Sequence, residues 1–228
     1  MRVRVAFTPL EPLAAPLAIV IDVLRATSTI CQARAAGLER ITCVAELDDA
    51  RALAGEGIAL AGERANVKIA GFDFGNSPRE FERPALGLAS LVFTTTNGTR
   101  LLLAAAARCE TVLVGSLLNL DAVVAAAAGA SDVVLLCAGV EGAFAIDDAY
   151  VAGRIASALA GEPDDAALGA IRLADSFPSA LEGIGAGQSA ANLRATGLAD
   201  DIAFCAREAV LGVVPRVVER GESAVVIA

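Results

Sequence analysis

Asp22 and Arg25 stand three apart in 21-IDVLRATST-29, Glu63 and Arg64 adjoin in 61-AGERAN-66, and Glu141 sits between glycines in 137-CAGVEGAFAIDD-148. Between them, 94-TTTNGTR-100 sets small hydrogen-bonding residues at one turn of a chain that is 56% hydrophobic. Carboxylates can hold a divalent cation, and guanidinium groups can clamp a phosphate or sulfonate in a bidentate way. Backbone N–H groups at a helix start carry partial positive charge, and the threonine hydroxyls add donors. These residue types therefore point to a small anionic substrate. The chain has no histidine, which removes Ser-His-Asp triads, Cys-His pairs and histidine-based zinc sites. Acid–base work falls to Asp, Glu, Lys, Cys, Tyr150 or metal-bound water. Hard oxygen ligands favour Mg²⁺ over Zn²⁺, so the inventory suits Mg²⁺-assisted attack on a phosphate ester.

Not every polar residue in these turns requires a function. Thr27, Ser28 and Thr29 can cap a helix. Turn chemistry accounts for Gly71, Gly75, Asn76 and Pro78, and Asp147 with Asp148 suits any first helical turn. Asp22 with Arg25, Glu63 with Arg64, and Glu141 are harder to explain by local structure.

The elements that must position these residues alternate. Strand-like runs fall at 3–7, 17–21, 40–44, 58–61, 90–93, 111–115, 132–137 and 223–228, and helix-like runs at 28–36, 47–54, 99–107, 120–128 and 147–160. Doubly apolar strands alternating with helices imply a mainly parallel sheet covered on both faces. In such sheets ligands bind beyond the carboxyl ends of the strands, where all four turns lie. An internal echo is also present. Glu39, Asp49-Ala50 and Ala61-Gly62 recur in the same order as Glu110, Asp121-Ala122 and Ala138-Gly139, which suggests two βαβαβ halves, about 16–64 and 88–141. The expected fold is a three-layer α/β/α sandwich in a single domain, 1–228, with a helical annex over about 161–215.

Composition bounds the rest. The formal net charge is −9, which argues against a nucleic-acid surface and requires an anion site to supply its own local cations. No apolar run reaches the ~20 residues of a membrane span, so a soluble cytoplasmic protein without membrane contact is expected. Five cysteines without a C-x-x-C spacing fit reduced, buried thiols. The apolar surplus hints at a homodimer.

The stretches IDVLRATSTI, LAGER, GFDFGNSP, TTTNGTR and CAGVEGAFAIDD closely resemble, in order, the signatures of the 2-phosphosulfolactate phosphatase family, and GLADDIAFCAREAVLGVVPRV resembles its ending more loosely. The resemblance implies a Mg²⁺-dependent phosphatase that converts 2-phospho-3-sulfolactate and water to 3-sulfolactate and phosphate, a step of coenzyme M biosynthesis. It also implies a duplicated α/β/α fold. The matching positions are Asp22, Arg25, Thr27, Glu63, Arg64, Asp73, Asn76, Ser77, Thr94, Thr95, Thr96, Asn97, Gly98, Thr99, Glu141 and Asp148. Residues 188–192, QSAAN, depart from the more polar Ser-Gly-Arg-like stretch the family leads one to expect. On this reading Asp22 and Glu63 hold the metal, with Glu141 or Asp148 as a further ligand or base. Arg25 and Arg64 grip the anion, and the TTTNGT turn holds the phosphoryl group. A non-catalytic binding protein for a phosphorylated or sulfonated acid is the alternative.

Overall fold

In the run LAIVI every residue is buried, as a strand covered on both faces requires. This strand, β2 (Leu17–Ile21), lies in a parallel sheet with β1 (Arg2–Ala6), β7 (Thr111–Gly115), β8 (Asp132–Cys137) and the short β9 (Glu162–Pro163), in the order β7-β2-β8-β1-β9. The computed structural model describes residues 1–11, 14–82 and 90–228. Positions 88 and 89, where the second expected half begins, lie outside the described residues.

The remaining strands form a second, mixed sheet. Its members are β3 (Arg40–Val44), β4 (Ile58–Arg64), β5 (Val67–Lys68), β6 (Ser90–Thr94), β10 (Val217–Arg220) and β11 (Ala224–Ile227), in the order β10-β11-β3-β6-β4-β5. Strands β3, β6 and β4 run parallel, while β5, β10 and β11 pair antiparallel at the margins. The α/β class and the eight expected strands follow the expectation, whereas the short β5, β9 and β10 were not expected and β9 falls at the start of the expected helical annex. The division of the strands between two sheets was not legible, because apolar periodicity reports burial and not the pairing partner.

Two helices pack between the sheets, α1 (Ala26–Ala35) and α3 (Gly98–Ala106). Ile30, Cys31, Leu101 and Leu102 from these helices share one core with Val20 and Val114 of the first sheet and with Ile41, Cys43 and Phe93 of the second. The neighbours of Val20 in β2, Ile19 and Ile21, point to the opposite face. There they meet Tyr150, Val151 and Ile155 of α5 (Ile146–Ala158). The first sheet is thus the centre of an α/β/α sandwich. The outer face of the second sheet carries a smaller core of Val44, Val92, Ile69 and Phe72, with Ala50 from α2 (Leu47–Ala52). Beyond β8 the chain builds α6 (Asp165–Asp175), α7 (Ala180–Gly185), α8 (Gln188–Ala195) and α9 (Ala199–Cys205), and Ile184, Leu193 and Ile202 join the α5 side of the core. Helix α4 (Leu120–Ala127) adds Leu120 and Val123 to the same side. All five cysteines are buried.

The strand order contains a reciprocal exchange. β2 lies between β7 and β8, and β6 lies between β3 and β4. The strand that opens each half of the chain therefore lies between two strands of the other half. The consequence for the site is direct. β2 leads into α1 and β6 into α3, so both central helices start at the ends of central strands, and the two starts meet.

Candidate active site

The meeting point is set by two turns with the same hydrogen-bond pattern. After β2, the Asp22 amide donates to Thr27 Oγ1 at 3.1 Å, and that hydroxyl donates back to Asp22 O at 2.9 Å. After β6, the Thr95 amide donates to Thr99 Oγ1 at 3.1 Å, and that hydroxyl donates back to Thr95 O at 3.0 Å. Asp22 and Thr95 therefore stand at equivalent places in the two halves. Thr95 closes its turn completely, since its Oγ1 accepts from the Thr99 amide at 3.2 Å. Asp22 does not: Oδ1 accepts from the Ala26 amide at 3.1 Å, while no donor among the described residues reaches Oδ2. Where the helix starts touch, the residue is Gly98. A Cβ there would lie 2.6 Å from both Ala26 Cβ and Asp22 Oδ2, a separation real Cβ atoms do not adopt. Only glycine lets α3 begin against this carboxylate. The peptide bond between Leu24 and Arg25 is cis.

A cavity of about 360 Å³ opens at this junction, lined by Asp22, Arg25, Glu63, Asn76, Thr96, Asn97 and Glu141, among others. Glu63 is its organiser. Oε1 accepts from the amide and hydroxyl of Thr96 at 2.8 and 3.0 Å, and Oε2 accepts from the Asn66 amide at 2.8 Å. It thereby joins the turn after β6 to the β4–β5 hairpin, whose tip residues Ala65 and Asn66 have φ of 50° and 65°, as a type I′ turn requires. Gly62 just before it passes so close to β6 that a Cβ would lie 2.1 Å from Thr94 O.

Several expected site residues serve this wall without facing the cavity. Arg64 donates to Glu63 O, Ala45 O and Thr94 Oγ1 at 2.7, 3.0 and 3.0 Å, so its guanidinium is committed to the protein. Thr95, Thr99 and Thr27 are buried and bonded within their turns, and the buried Thr94 donates to Ala45 O at 3.3 Å. Ser77 donates to Asp201 Oδ1 at 2.7 Å. Asp73 accepts from the Leu60 amide at 2.8 Å on the surface. Asp148 accepts from the Val23 and Gly139 amides, both at 2.9 Å, and so clasps the ends of β2 and β8.

Helix α8, at the departing QSAAN stretch, supplies Ser189, Asn192 and Ala195 to the cavity, and Thr196 follows just beyond its end. Ser189 donates to Asp147 Oδ1 at 3.1 Å. None of these annex residues stood among the sequence candidates, although the QSAAN departure pointed to their segment.

Burial dominates the electrostatics. It pushes the Asp22 carboxyl up to about 7. The Ala26 amide opposes the rise, Glu63 and Asp147 add to it, and Arg25 opposes it more weakly. Burial likewise raises Asp147 to about 6. It holds Asp148 well above the usual carboxylate range, helped by Asp147 and Asp22 and opposed by its two amide donors.

Among the described residues no three His, Cys, Asp or Glu side chains converge as a metal cage would require. Glu63 commits both oxygens to protein donors. Mg²⁺, however, commonly binds through one or two carboxylates and completes its shell with water and substrate phosphate. Asp22, with an oxygen bared to the cavity, fits that lesser demand.

Fold and site together define an α/β protein with a cavity at its strand ends, where two helix starts meet a buried carboxylate. A model of the 2-phosphosulpholactate phosphatase family matches residues 5–220. The chain belongs to this family, whose members are phosphoric monoester hydrolases. It is 38% identical over 222 residues to a protein of Thermus thermophilus named "Probable 2-phosphosulfolactate phosphatase", covering 94% of each chain. It is 37% identical over 218 residues to one of the same name from Thermotoga maritima, covering 95% of each. It is also 37% identical over 219 residues to the "2-phosphosulfolactate phosphatase" of Methanothermobacter thermautotrophicus, covering 94% of this chain and 92% of that one. No helix among the described residues is long and apolar enough to cross a membrane.

Proposed function

We propose that the cavity hydrolyses the phosphate ester of a small 2-phospho-hydroxyacid, with 2-phospho-3-sulfolactate as substrate and 3-sulfolactate and phosphate as products. That reaction is of the coenzyme M biosynthesis type. The observation that carries this reading is Asp22 Oδ2, bared to the cavity where the α1 and α3 starts meet. The phosphoryl group sits against the amides of the α3 start, with Thr96 and Asn97 beside it, where the helix dipoles favour negative charge. In hydrolysis the P–O bond to the hydroxyacid breaks, a bond from water oxygen to phosphorus forms, and the departing oxygen takes a proton. Glu141, in the cavity wall, is the group placed to handle that proton. Glu63 keeps Thr96 and Asn66 in register. Mg²⁺, held by Asp22, would neutralise phosphoryl charge and lower the pKa of a bound water.

The test is phosphate release from a panel of 2-phospho-hydroxyacids, with Mg²⁺ and with EDTA. Release from phosphosulfolactate that EDTA abolishes is expected. Equal rates in both conditions remove the metal from the reading. Saturable binding without release from any ester replaces the phosphatase with a binding protein.

A further inference from the structure

Arg25 and Asp201 form an ion pair of 2.6 Å, with side chains 2% and 1% exposed. The carboxylate comes from α9, 176 residues further along the chain. Ser77 donates to the other carboxylate oxygen at 2.7 Å, so Asp201 is satisfied on both sides and fixed in direction. A buried ion pair adds little net stability, because desolvation offsets the attraction. Its consequence here is orientation.

That orientation leaves one edge of the guanidinium unspent. Nη1 is taken by Asp201 and Nη2 makes only a 3.4 Å bond to Asn66 O. Nε is buried and has no partner. The described residues hold two buried side-chain polar atoms without a partner, Arg25 Nε and Asn76 Oδ1, and both residues line the cavity. An unmade hydrogen bond to a buried charged group is costly. The Nε–Nη2 edge matches an anion with two oxygens on one head, such as a carboxylate or sulfonate. Arg64, the other cation expected here, is committed elsewhere.

We propose that Asp201 is a positioning residue that holds the unspent edge of Arg25 at the cavity wall, creating a subsite for the acidic group the substrate carries beside its phosphate. This rests on the phosphatase reading and assigns the second half of its substrate. The phosphoryl group lies at the helix starts, and the carboxylate or sulfonate lies against Arg25. The annex, through α9, sets which esters bind well.

The test compares two esters that differ in one group. 2-Phospholactate carries a carboxylate where isopropyl phosphate carries a methyl. In Asp201→Asn the guanidinium loses its anchor. KM for 2-phospholactate is expected to rise about tenfold or more with kcat changed less than about threefold, while KM for isopropyl phosphate stays within about twofold. A purely structural role would weaken both esters alike, and that result, or no change with either, overturns the proposal. If Asp201→Asn does not fold, Ser77→Ala decides. It keeps the ion pair but frees the carboxylate to rotate, so a selective rise of about threefold with 2-phospholactate is expected, and equal or absent effects overturn the proposal. The same comparison by titration calorimetry needs no turnover. Selective loss of 2-phospholactate affinity in a protein that hydrolyses neither ester would sustain the subsite and sink the phosphatase reading.

Discussion

Asp22 Oδ2 and Gly98 are so close that a Cβ on the glycine would lie 2.6 Å from the carboxylate oxygen, and equally close to Ala26 Cβ. Ala26 Cβ is fixed by its backbone and cannot swing aside, and the Asp22 carboxyl is held in place by the Ala26 amide on Oδ1. In Gly98→Ala the two helix starts must part by some tenths of an ångström. Overpacking of this kind costs about 1–3 kcal/mol, and misplacing a reacting group by about an ångström costs on the order of 10² in rate. The expected variant is folded, melts lower, and releases phosphate about a hundredfold more slowly. Wild-type rates with a lowered melting temperature would show that the helix starts do not touch the substrate.

Asp22→Asn probes the same oxygen without changing shape. The amide oxygen still accepts from the Ala26 amide, as Oδ1 does now at 3.1 Å. What is lost is the charge facing the cavity. Turnover should fall by a factor on the order of 10³, the scale of several kcal/mol of charge stabilisation, while inorganic phosphate still binds. Calorimetry with phosphate and a phosphate-release assay separate the two effects. Retained turnover would show that Asp22 only caps α1.

The turns that flank this oxygen were legible in the sequence because polar residues at apolar strand ends have few structural reasons to be there. Asp22, Arg25, Glu63, Thr96, Asn97 and Glu141 all reach the cavity. Their neighbours Arg64, Ser77 and Thr99 looked alike in sequence, yet point into the protein. Residue type gives the chemistry a side chain can do, while direction depends on which backbone oxygens lie nearby. Helix α8 and Asp201 were harder still. They reach the site through packing of the annex against α5 and the 3₁₀ turn at Pro78–Phe81, contacts that no local pattern encodes. The same holds for β2 and β6. Their burial was readable from LAIVI and SLVF, but their exchange between two sheets was not.

Glu63 makes a second kind of test, because it binds two segments and not one. Its two oxygens receive three donors, from Thr96 and Asn66. Glu63→Gln replaces one acceptor with an NH₂ that faces a backbone N–H. One buried donor is then left unsatisfied, at about 1–3 kcal/mol. Urea unfolding should show a loss of that size, together with reduced phosphate release. Rates lost without any change in stability would instead place Glu63 in direct contact with metal or substrate.

The raised carboxyls give the metal-free protein a pH signature. Asp22 moves from 3.8 to about 7 and Asp147 from 3.8 to about 6 on folding, chiefly through burial. Between about pH 4 and 7 the folded chain therefore holds protons that the unfolded chain has released. The stability these groups contribute is fully present below about pH 4 and is lost as pH rises through about 6 to 7. In EDTA, Asp22 and Asp147 together should lower the unfolding free energy by on the order of 2 kcal/mol between about pH 5.5 and 7.5, and Asp148, raised by burial as well, should deepen the fall. Asp22→Asn carries no proton to lose at that position, so its profile should be flatter over the same interval. Added Mg²⁺ should flatten the wild-type profile from the other side, because a cation favours the ionised carboxylate. Parallel profiles for the wild type and the variant, with or without Mg²⁺, would mean that Asp22 does not titrate in this range and that its bared oxygen is not where the cation sits.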